Sequence, residues 1–170
     1  MACVLTSGYS IPCLSTAGVS AVYIGTWNGP SLTYTLASDS SIATFSGSTV
    51  SFYTFNQRIE NASFTHTGAI SQENGTFVME NAVEISVHGM NQALANQIAI
   101  LGKGVWRVIV KDNNGNYFLI GKTNPVGVTA ITGGLGKAQS DLNGAIITFS
   151  CKEADPIVQV SSSAALSVIQ

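Results

Sequence analysis

Histidines are the side chains here that could most readily activate a serine, threonine or cysteine nucleophile. The chain has two, His66 and His88, and neither is accompanied by a G-x-S-x-G turn. Both fall on polar positions of predicted strands or at strand ends, which is typical of exposed histidines. Because they lie 22 residues apart, they also lack the clustered spacing of zinc ligands.

Paired carboxylates would indicate a glycosidase. The acids available for such a pair are Glu60, Glu73, Glu80 and Glu84. On one continuous strand Glu80 and Glu84 would share a face, but they would lie about 13 Å apart at roughly 3.3 Å per residue. That separation is too large for the pair to act across one bond. We therefore interpret these acids as a solvated polar face.

The glycine-rich run 133–138 matches a phosphate-binding loop only in part. The motif requires a glycine where Ile131 stands and a serine or threonine where Ala138 stands.

The cysteines are odd in number and contain no C-x-x-C pair, which favours small buried thiols over zinc ligands or disulfides. They are Cys3, Cys13 and Cys151. The sequence predicts no catalytic residue, no metal site and no cofactor.

A basic stripe beside Trp106 could be taken for a nucleic-acid contact. It consists of Lys103, Arg107 and Lys111. Strand alternation places Arg107 and Lys111 on the face opposite Trp106, so the pattern predicts bases facing solvent and apolar groups facing a core. A net charge of −2 also gives no basic field for nucleic acid or an anionic membrane.

Charge is scarce along the chain. Only 9% of the 170 residues are Asp, Glu, Lys or Arg, against about 25% in a typical domain. Residues 1–57 contain a single charged side chain, Asp39. Because 45% of the residues are hydrophobic, disorder is disfavoured. A surface with so little charge is poorly protected against association, which predicts that the N-terminal third and the helix are covered by neighbouring subunits.

Strand patterns dominate the positions between these residues. Eleven segments rich in β-branched and aromatic residues are separated by turns, and we predict about nine or ten strands from them. They are 19–27, 31–37, 42–45, 49–55, 58–67, 75–88, 105–111, 117–122, 127–132, 145–150 and 157–160. Adjacent Phe52 and Tyr53 break the alternation, which predicts that their strand is covered on both faces.

One segment has the period of an α-helix. Apolar or amide side chains recur three and four residues apart, and Gly102 and Gly104 follow them. These are Met90, Ala93, Leu94, Gln97, Ile98 and Leu101. We predict a mainly β fold, a β-sandwich or flattened barrel with one α-helix at about 90–101. Residues 1–20 would form an N-terminal arm, 21–160 a single domain, and 161–170 a tail that is either strand or disordered.

The clearest hairpin joins Val105–Lys111 to Tyr117–Lys122. Its turn is rich in Asn and Gly, which tolerate the left-handed backbone angles of hairpin turns. The turn residues are Asp112, Asn113, Asn114, Gly115 and Asn116. The N-terminal segment has no basic start, and the longest apolar runs are far shorter than a membrane span, so the sequence predicts neither a secretory signal nor a membrane segment.

Short motifs near both ends carry a resemblance to a known group of proteins. They are Met1-Ala2-Cys3, Thr6-Ser7-Gly8-Tyr9, Cys13, Ala17-Gly18-Val19, Val22-Tyr23-Ile24, Gly136-Lys137-Ala138, Asp141-Leu142-Asn143-Gly144 and Ala145-Ile146-Ile147-Thr148-Phe149. With the intervening hairpin, the chain resembles small virion proteins from tailed bacteriophages of Bacteroidetes hosts, the crAss-like phages among them. The strand-rich order with one central helix is also similar to the tail-tube superfamily.

The resemblance implies a non-enzymatic structural subunit of the virion, assembled in the cytoplasm of the bacterial host. Such subunits form stacked homo-oligomeric rings with other tail proteins, around a channel through which DNA passes without specific binding. The position implied is a tail tube or a tail ring or connector. The hairpin resembles the element that such subunits lay onto the next ring, which makes its turn a candidate assembly contact, together with Asn91, Asn96 and Tyr9. The four acids named above are the candidates for the channel lining.

Two other classes of function remain open. A capsid decoration domain, or a receptor- or carbohydrate-binding β-sandwich, would need a cluster of exposed aromatic side chains. The candidates are Tyr9, Trp27, Tyr53 and Trp106. A small hydrolase is the third class, which the missing nucleophile and carboxylate pair disfavour.

Overall fold

Alternating β-branched and aromatic residues form the strands of two packed sheets. The computed structural model describes residues 8–9, 15–29, 32–46, 50–58 and 60–170. The strands of this part of the chain are β1 (Val19–Thr26), β2 (Thr33–Leu36), β3 (Ile42–Ser46), β4 (Phe52–Asn56), β5 (Ser63–Ser71), β6 (Thr76–His88), β7 (Trp106–Asp112), β8 (Tyr117–Ile120), β9 (Gly127–Gly134), β10 (Gly144–Glu153) and β11 (Val158–Val160). The helices are α1 (Gln92–Lys103) and α2 (Ser162–Val168).

The strands form a seven-stranded sheet and a four-stranded sheet. The order in the first is β2-β3-β11-β8-β7-β1-β4, and in the second it is β5-β6-β10-β9. Neighbouring strands are antiparallel, except that β11 pairs with β3 in parallel. The mainly β fold class is confirmed, and the sheets pack as a sandwich and do not close into a barrel.

The central strands of the seven-stranded sheet, such as β1, are covered on both faces. Val22 and Ile24 of β1 face the four-stranded sheet and join a core cluster with Ile85 and Phe149. Tyr23, between them in sequence, faces the other way, into a second cluster beneath α2. This double coverage explains why β1 has almost no polar alternation, since a strand buried on both faces is apolar throughout.

The prediction of a single helix is wrong. The last ten residues are neither strand nor a disordered tail, because α2 packs Ala164 and Ala165 into the second cluster. The side-chain oxygen of Ser161 caps α2 by accepting a hydrogen bond from the Ala164 backbone N–H at 3.3 Å. A helix of seven residues is too short to show a clear period in sequence, and its serines read as a polar tail.

The central helix is confirmed, two residues later than predicted. Asn91 is its N-cap, and the Asn91 Oδ1 atom accepts a hydrogen bond from the Leu94 N–H at 2.8 Å. Of the predicted apolar stripe, Leu101 is buried, whereas Ala93 and Gln97 are exposed. α1 therefore contacts the sandwich mainly through its C-terminal half, where it packs against β9.

Arg107 contradicts the prediction that the bases of β7 face solvent. It is 0% exposed, because this face of the seven-stranded sheet is covered. Its Nε donates to the Gly121 carbonyl oxygen at 2.8 Å, its Nη2 to the Gly29 carbonyl oxygen at 2.9 Å and its Nη1 to Asn28 Oδ1 at 3.3 Å. The Trp27 ring lies 4.3 Å from its Cζ. Arg107 thus fixes the loop after β1 and is no part of a nucleic-acid surface.

Tyr53 corrects a second prediction from alternation. Phe52 is buried in the cluster beneath α2, but Tyr53 is 58% exposed. β4 is therefore not covered on both faces, because it is the outermost strand of its sheet and the four-stranded sheet does not extend over Tyr53.

Candidate assembly surfaces

The turn between β7 and β8 is held by hydrogen bonds among its own residues. The Asp112 carboxylate accepts hydrogen bonds from the backbone N–H groups of Asn114 and Asn116 at 2.9 and 2.7 Å, and from their side-chain amides at 3.3 and 2.9 Å. Partial burial acts to raise the pKa of Asp112, but these hydrogen bonds outweigh it and hold the pKa below its usual value. The turn is thus built around one carboxylate whose acceptor sites are occupied.

The same turn ties down the segment before β1. The Asn113 side-chain amide donates to the Ala17 carbonyl oxygen at 2.7 Å, and its backbone N–H donates to the Gly18 carbonyl oxygen at 3.1 Å. Asn114 exchanges two hydrogen bonds with the Thr16 backbone, at 2.8 and 3.0 Å. Gly115 takes the left-handed backbone conformation that the turn requires, with φ at 87°.

The predicted hairpin therefore does not project from the fold. β7 and β8 lie inside the order of the seven-stranded sheet, between β1 and β11, and their turn is anchored to Thr16, Ala17 and Gly18. Whether this turn contacts a neighbouring ring stays a prediction. Sequence showed that the two strands pair but not where the pair sits in the sheet.

The hairpin that does project is formed by β5 and β6. The β10 ladder on β6 ends where Glu153 pairs with Met79, whereas β5 continues to pair with β6 as far as Ser71 opposite Thr76. Beyond β10, Ile70 lies opposite Phe77, and these side chains are 71% and 46% exposed. We call the segment 68–77 the hairpin tip. Its two apolar side chains continue the core face of the sheet past the end of the sandwich.

A groove lies at the opposite end of β5. It has a volume of about 440 Å³ and a mixed lining. Its apolar residues are Ala17, Val19, Ala62, Phe64, Val110 and Phe118, and its hydroxyl residues are Ser15, Thr16 and Ser63. Asp112 and Asn114 also line it, so the β7–β8 turn borders a concave surface. We call this surface the end groove. From Phe64 to Ile70 along β5 the distance is about 20 Å.

Both outer strands of the four-stranded sheet are long and uncharged. β5 reads S-F-T-H-T-G-A-I-S and β9 reads G-V-T-A-I-T-G-G, with no Asp, Glu, Lys, Arg or Pro in either. Residues 129–134 of β9 are exposed without interruption. Natural proteins usually protect such edges with charges, prolines, bulges or a covering segment, because an open edge pairs readily with another chain. β9 has a bulge between Val128 and Ala130 and contacts α1, yet residues 129–134 stay exposed.

The outer strands of the other sheet differ. β2 and β4 have four and five residues, and the C-terminal residue covers part of β4. The Gln170 backbone N–H donates to the Phe52 carbonyl oxygen at 2.8 Å, and the Thr54 hydroxyl donates to the Gln170 carbonyl oxygen at 3.3 Å. Among the described residues, the backbone N–H and C=O groups that could pair with a strand of another chain therefore lie mainly on β5 and β9.

The four candidate channel acids do not lie together. Glu80 and Glu84 project from the outer face of the four-stranded sheet and are exposed, and Lys152 on the same face lies 3.9 Å from Glu80. Glu73 lies in the turn of the hairpin tip, and Glu60 lies in the loop between β4 and β5. Only the two acids of β6 share a sheet face.

The remaining assembly candidates have varied surroundings. Tyr9 is 87% exposed. Asn96 is exposed and its side-chain oxygen accepts from Gln92 Nε2 at 3.0 Å, one turn away on α1. Asn91 is the N-cap described above, so its side chain is engaged in helix formation.

Among the aromatic candidates, Trp27 stacks against Arg107, and Trp106 Nε1 donates to the Leu101 carbonyl oxygen at 2.8 Å. These contacts disfavour a cluster of free aromatic groups.

A polar cluster that sequence reasoning missed lies inside the four-stranded sheet. His66 Nδ1 donates to Asn81 Oδ1, and Asn81 Nδ2 donates to Glu153 Oε2 at 3.4 Å and to Cys151 Sγ at 3.8 Å. Glu153 Oε1 accepts from the Thr123 N–H at 2.9 Å. The strand register explains why these side chains meet, because His66, Asn81 and Cys151 lie opposite one another on β5, β6 and β10.

The polar cluster is poorly suited to nucleophilic chemistry. Burial raises the pKa of Cys151 to about 11, and the charge of Glu153 acts in the same direction. The hydrogen-bond partner of His66 is Asn81, so the imidazole is not placed as the base of the thiol. The prediction of a buried thiol is confirmed for Cys151, while Cys3 and Cys13 lie outside the described residues.

The histidines are less exposed than predicted. His66 and His88 are both partly buried, and His88 Nε2 accepts a hydrogen bond from Asn61 Nδ2 at 2.9 Å.

Neither helix in the part of the chain that the structure describes is long and apolar enough to cross a membrane.

The described surface is thus characterised by two open edges on one sheet, an apolar tip and a groove with a mixed lining. Comparison with protein-family models, with curated proteins and with solved structures finds no match to this chain.

Proposed function

We propose that the chain is a structural subunit of a tailed-phage virion, a tail tube or a tail ring or connector protein. Its copies assemble into symmetric stacked rings around the DNA channel. The resemblance described under Sequence analysis suggests this class of protein. The observation that carries the proposal is that one sheet has two long, uncharged edges, β5 and β9, on its opposite sides, and that no strand of the described residues pairs with either.

Strand directions favour pairing between these two edges. The order β5-β6-β10-β9 is antiparallel throughout, so β5 and β9 run in opposite directions. When β9 of one copy lies beside β5 of the next, the new pair is antiparallel, like the rest of the sheet. The contact joins two different surfaces of the same chain, and a heterologous contact of this kind closes into a ring when the rotation between copies permits it.

Ring closure places one face of every four-stranded sheet on the same wall. The outer face carries Glu80 and Glu84 with hydroxyl side chains such as Thr65, Thr67 and Thr148, which alternation places outward. Facing the channel, the two acids repel the phosphate backbone, so DNA passes without specific binding. Lys152, the base beside them, is paired with Glu80. Glu60 and Glu73 lie elsewhere and are no longer part of the proposed lining.

Stacking between rings uses the two ends of β5. The hairpin tip, with Ile70 and Phe77, lies at one end of this strand and the end groove at the other. A translation along the strand direction brings the tip of one copy to the groove of the next. The apolar residues of the groove, Val19, Phe64 and Phe118 among them, would cover Ile70 and Phe77, and the contact would remove these side chains from water. The occupant proposed for the end groove is thus a second copy of this chain.

Proline substitutions at Ile131 and Thr132 test ring closure. In an antiparallel strand, successive N–H groups point alternately to the two neighbouring strands. One of the two variants therefore removes a hydrogen bond to β10, and the other removes only an N–H that faces the open edge. Thermal unfolding distinguishes them, because only the edge-facing variant keeps the wild-type melting temperature.

The edge-facing variant is then compared with the wild type by light scattering after size exclusion and by electron microscopy. We expect rings from the wild-type chain at high concentration and monomers from this variant. A wild-type chain that remains monomeric at high concentration would contradict the proposal. So would assembly of the edge-facing variant to the same extent as the wild type.

A further inference from the structure

Four Asn-Gly dipeptides occur in the chain, at 28–29, 74–75, 114–115 and 143–144. Asparagine followed by glycine is prone to deamidation, since glycine has no side chain to obstruct the attack of its own backbone nitrogen on the asparagine side chain. The attack requires that the asparagine amide can rotate and that the glycine N–H is accessible. The four sites differ in both respects.

Three of the four sites are held by hydrogen bonds. Asn28 Oδ1 accepts from Arg107. The Asn114 side chain is bound to Thr16 and Asp112, and the Gly115 N–H donates to the Asp112 carbonyl oxygen at 3.3 Å.

The third held site combines a side-chain contact with strand pairing. Asn143 Oδ1 accepts from the Met90 N–H at 3.2 Å. Gly144 is buried and paired on both sides within the four-stranded sheet, opposite His88 and Gly134. Its nitrogen is therefore fixed in the sheet.

Asn74 is the exception. It lies with Gly75 in the exposed turn of the hairpin tip. Its backbone N–H donates to Ser71 Oγ at 3.3 Å, but among the described residues its side-chain amide and the Gly75 N–H make no hydrogen bond. Gly75 has φ at 63°, and, beyond Asn74 and Thr76, no atom of the described residues lies within 4 Å of the position that a Cβ would occupy. The reacting groups are therefore open to solvent.

We propose that Asn74 is a site of spontaneous deamidation. The Gly75 backbone nitrogen attacks Cγ of Asn74, so that a C–N bond forms and a five-membered succinimide closes. The bond between Cγ and Nδ2 breaks, and ammonia leaves with the proton given up by the Gly75 nitrogen. Water then opens the ring at either carbonyl and leaves aspartate or isoaspartate. The net change is one water consumed and one ammonia released.

The product changes the chemistry of the hairpin tip. A new carboxylate stands next to Glu73 in sequence and on the same turn as Ile70 and Phe77, and isoaspartate also lengthens the backbone of the turn. If the tip packs in the end groove, the added charge has to be desolvated on association. Deamidation therefore weakens the contact between copies, a consequence that rests on the proposed function, whereas the reaction itself does not.

Mass spectrometry of the aged full-length chain tests the reaction. Trypsin places each Asn-Gly pair in its own peptide, because cleavage follows Arg58, Lys103, Arg107, Lys111, Lys122, Lys137 and Lys152. The chain is incubated folded at mildly alkaline pH, and in parallel in urea. We expect the peptide containing Asn74 to gain one dalton several-fold faster than the other three in the folded chain, and all four to react at similar rates in urea.

Two variants complete the design. Asn74→Gln should abolish the gain in that peptide, which assigns it to this residue. An Asn74 that stays intact in the folded chain while it reacts in urea would overturn the proposal, as would equal rates at all four folded sites. Asn74→Asp mimics the product. If Asn74 deamidates but this variant assembles like the wild type, the proposed tip contact fails and the modification site stands.

Discussion

Replacing Ile70 and Phe77 with serine removes the apolar side chains of the hairpin tip. Burying one such side chain completely is worth about 1.5–3 kcal/mol. With exposed fractions of 71% and 46%, the area still available for burial corresponds to about 2–3.5 kcal/mol per contact. The constant for association between stacked copies should then fall roughly 30- to 300-fold. The fold should persist, because both residues lie beyond the part of β6 that pairs with β10.

Sedimentation velocity over a concentration series measures this change, with thermal unfolding as a check on the fold. Leu166→Ser is the matched control, because Leu166 is an exposed apolar residue on α2, away from β5. We expect the double variant to form isolated rings at concentrations where the wild type and the control form stacks. A double variant that stacks as readily as the wild type while staying folded would refute the role of the tip.

Two further predictions concern the fold. Arg107→Met should lower the free energy of unfolding by about 3 kcal/mol or more, because the carbonyl oxygens of Gly29 and Gly121 lose a buried charged donor. Urea unfolding measures this loss. A loss below about 1 kcal/mol would show that the loop at 27–29 does not depend on Arg107. Asp112→Asn tests the turn. Because the pKa of Asp112 is lowered in the folded chain, its carboxylate stabilises the fold above the unfolded-state pKa of about 3.9, and this contribution is lost as the pH falls through the folded-state value. The free energy of unfolding of the variant should be lower than that of the wild type by at most about 1 kcal/mol at neutral pH, because solvent screens part of the interaction of the carboxylate. This difference in free energy should become smaller in acid. A constant difference across this range, measured by unfolding at several pH values, would argue against the charge as the cause.

Elements with a strong local pattern could be predicted from the sequence. The stripe from Met90 to Leu101 predicted α1, and the Asn-rich turn at 112–116 predicted the pairing of β7 with β8. Both depend on neighbours within a few residues, where hydrogen bonding and periodicity act directly. The placement of Asn91 at the start of α1 is a further local feature, since Asn is among the favoured N-cap residues.

The candidate site was less predictable, because exposure depends on which elements cover a strand. Arg107 alternates with apolar neighbours as a surface base does, yet the loop at 27–29 closes over it. The histidine in β5 reads as a surface group until Asn81 is placed opposite it. The burial of the N-terminal third and of α1 by neighbouring subunits stays a prediction.

By itself, the sequence determined a chain that is mostly strand, contains a central helix and has few charged residues. Strand periodicity and composition are properties of the local chain, so no partner is needed to specify them. Only the tertiary structure decided that, within the described ranges, β5 and β9 become open edges, that β5 and β6 project, and that the β7–β8 hairpin stays inside its sheet. The reason is that an edge or a tip is defined by the absence of a neighbour, and neighbours in a sheet come from distant parts of the chain.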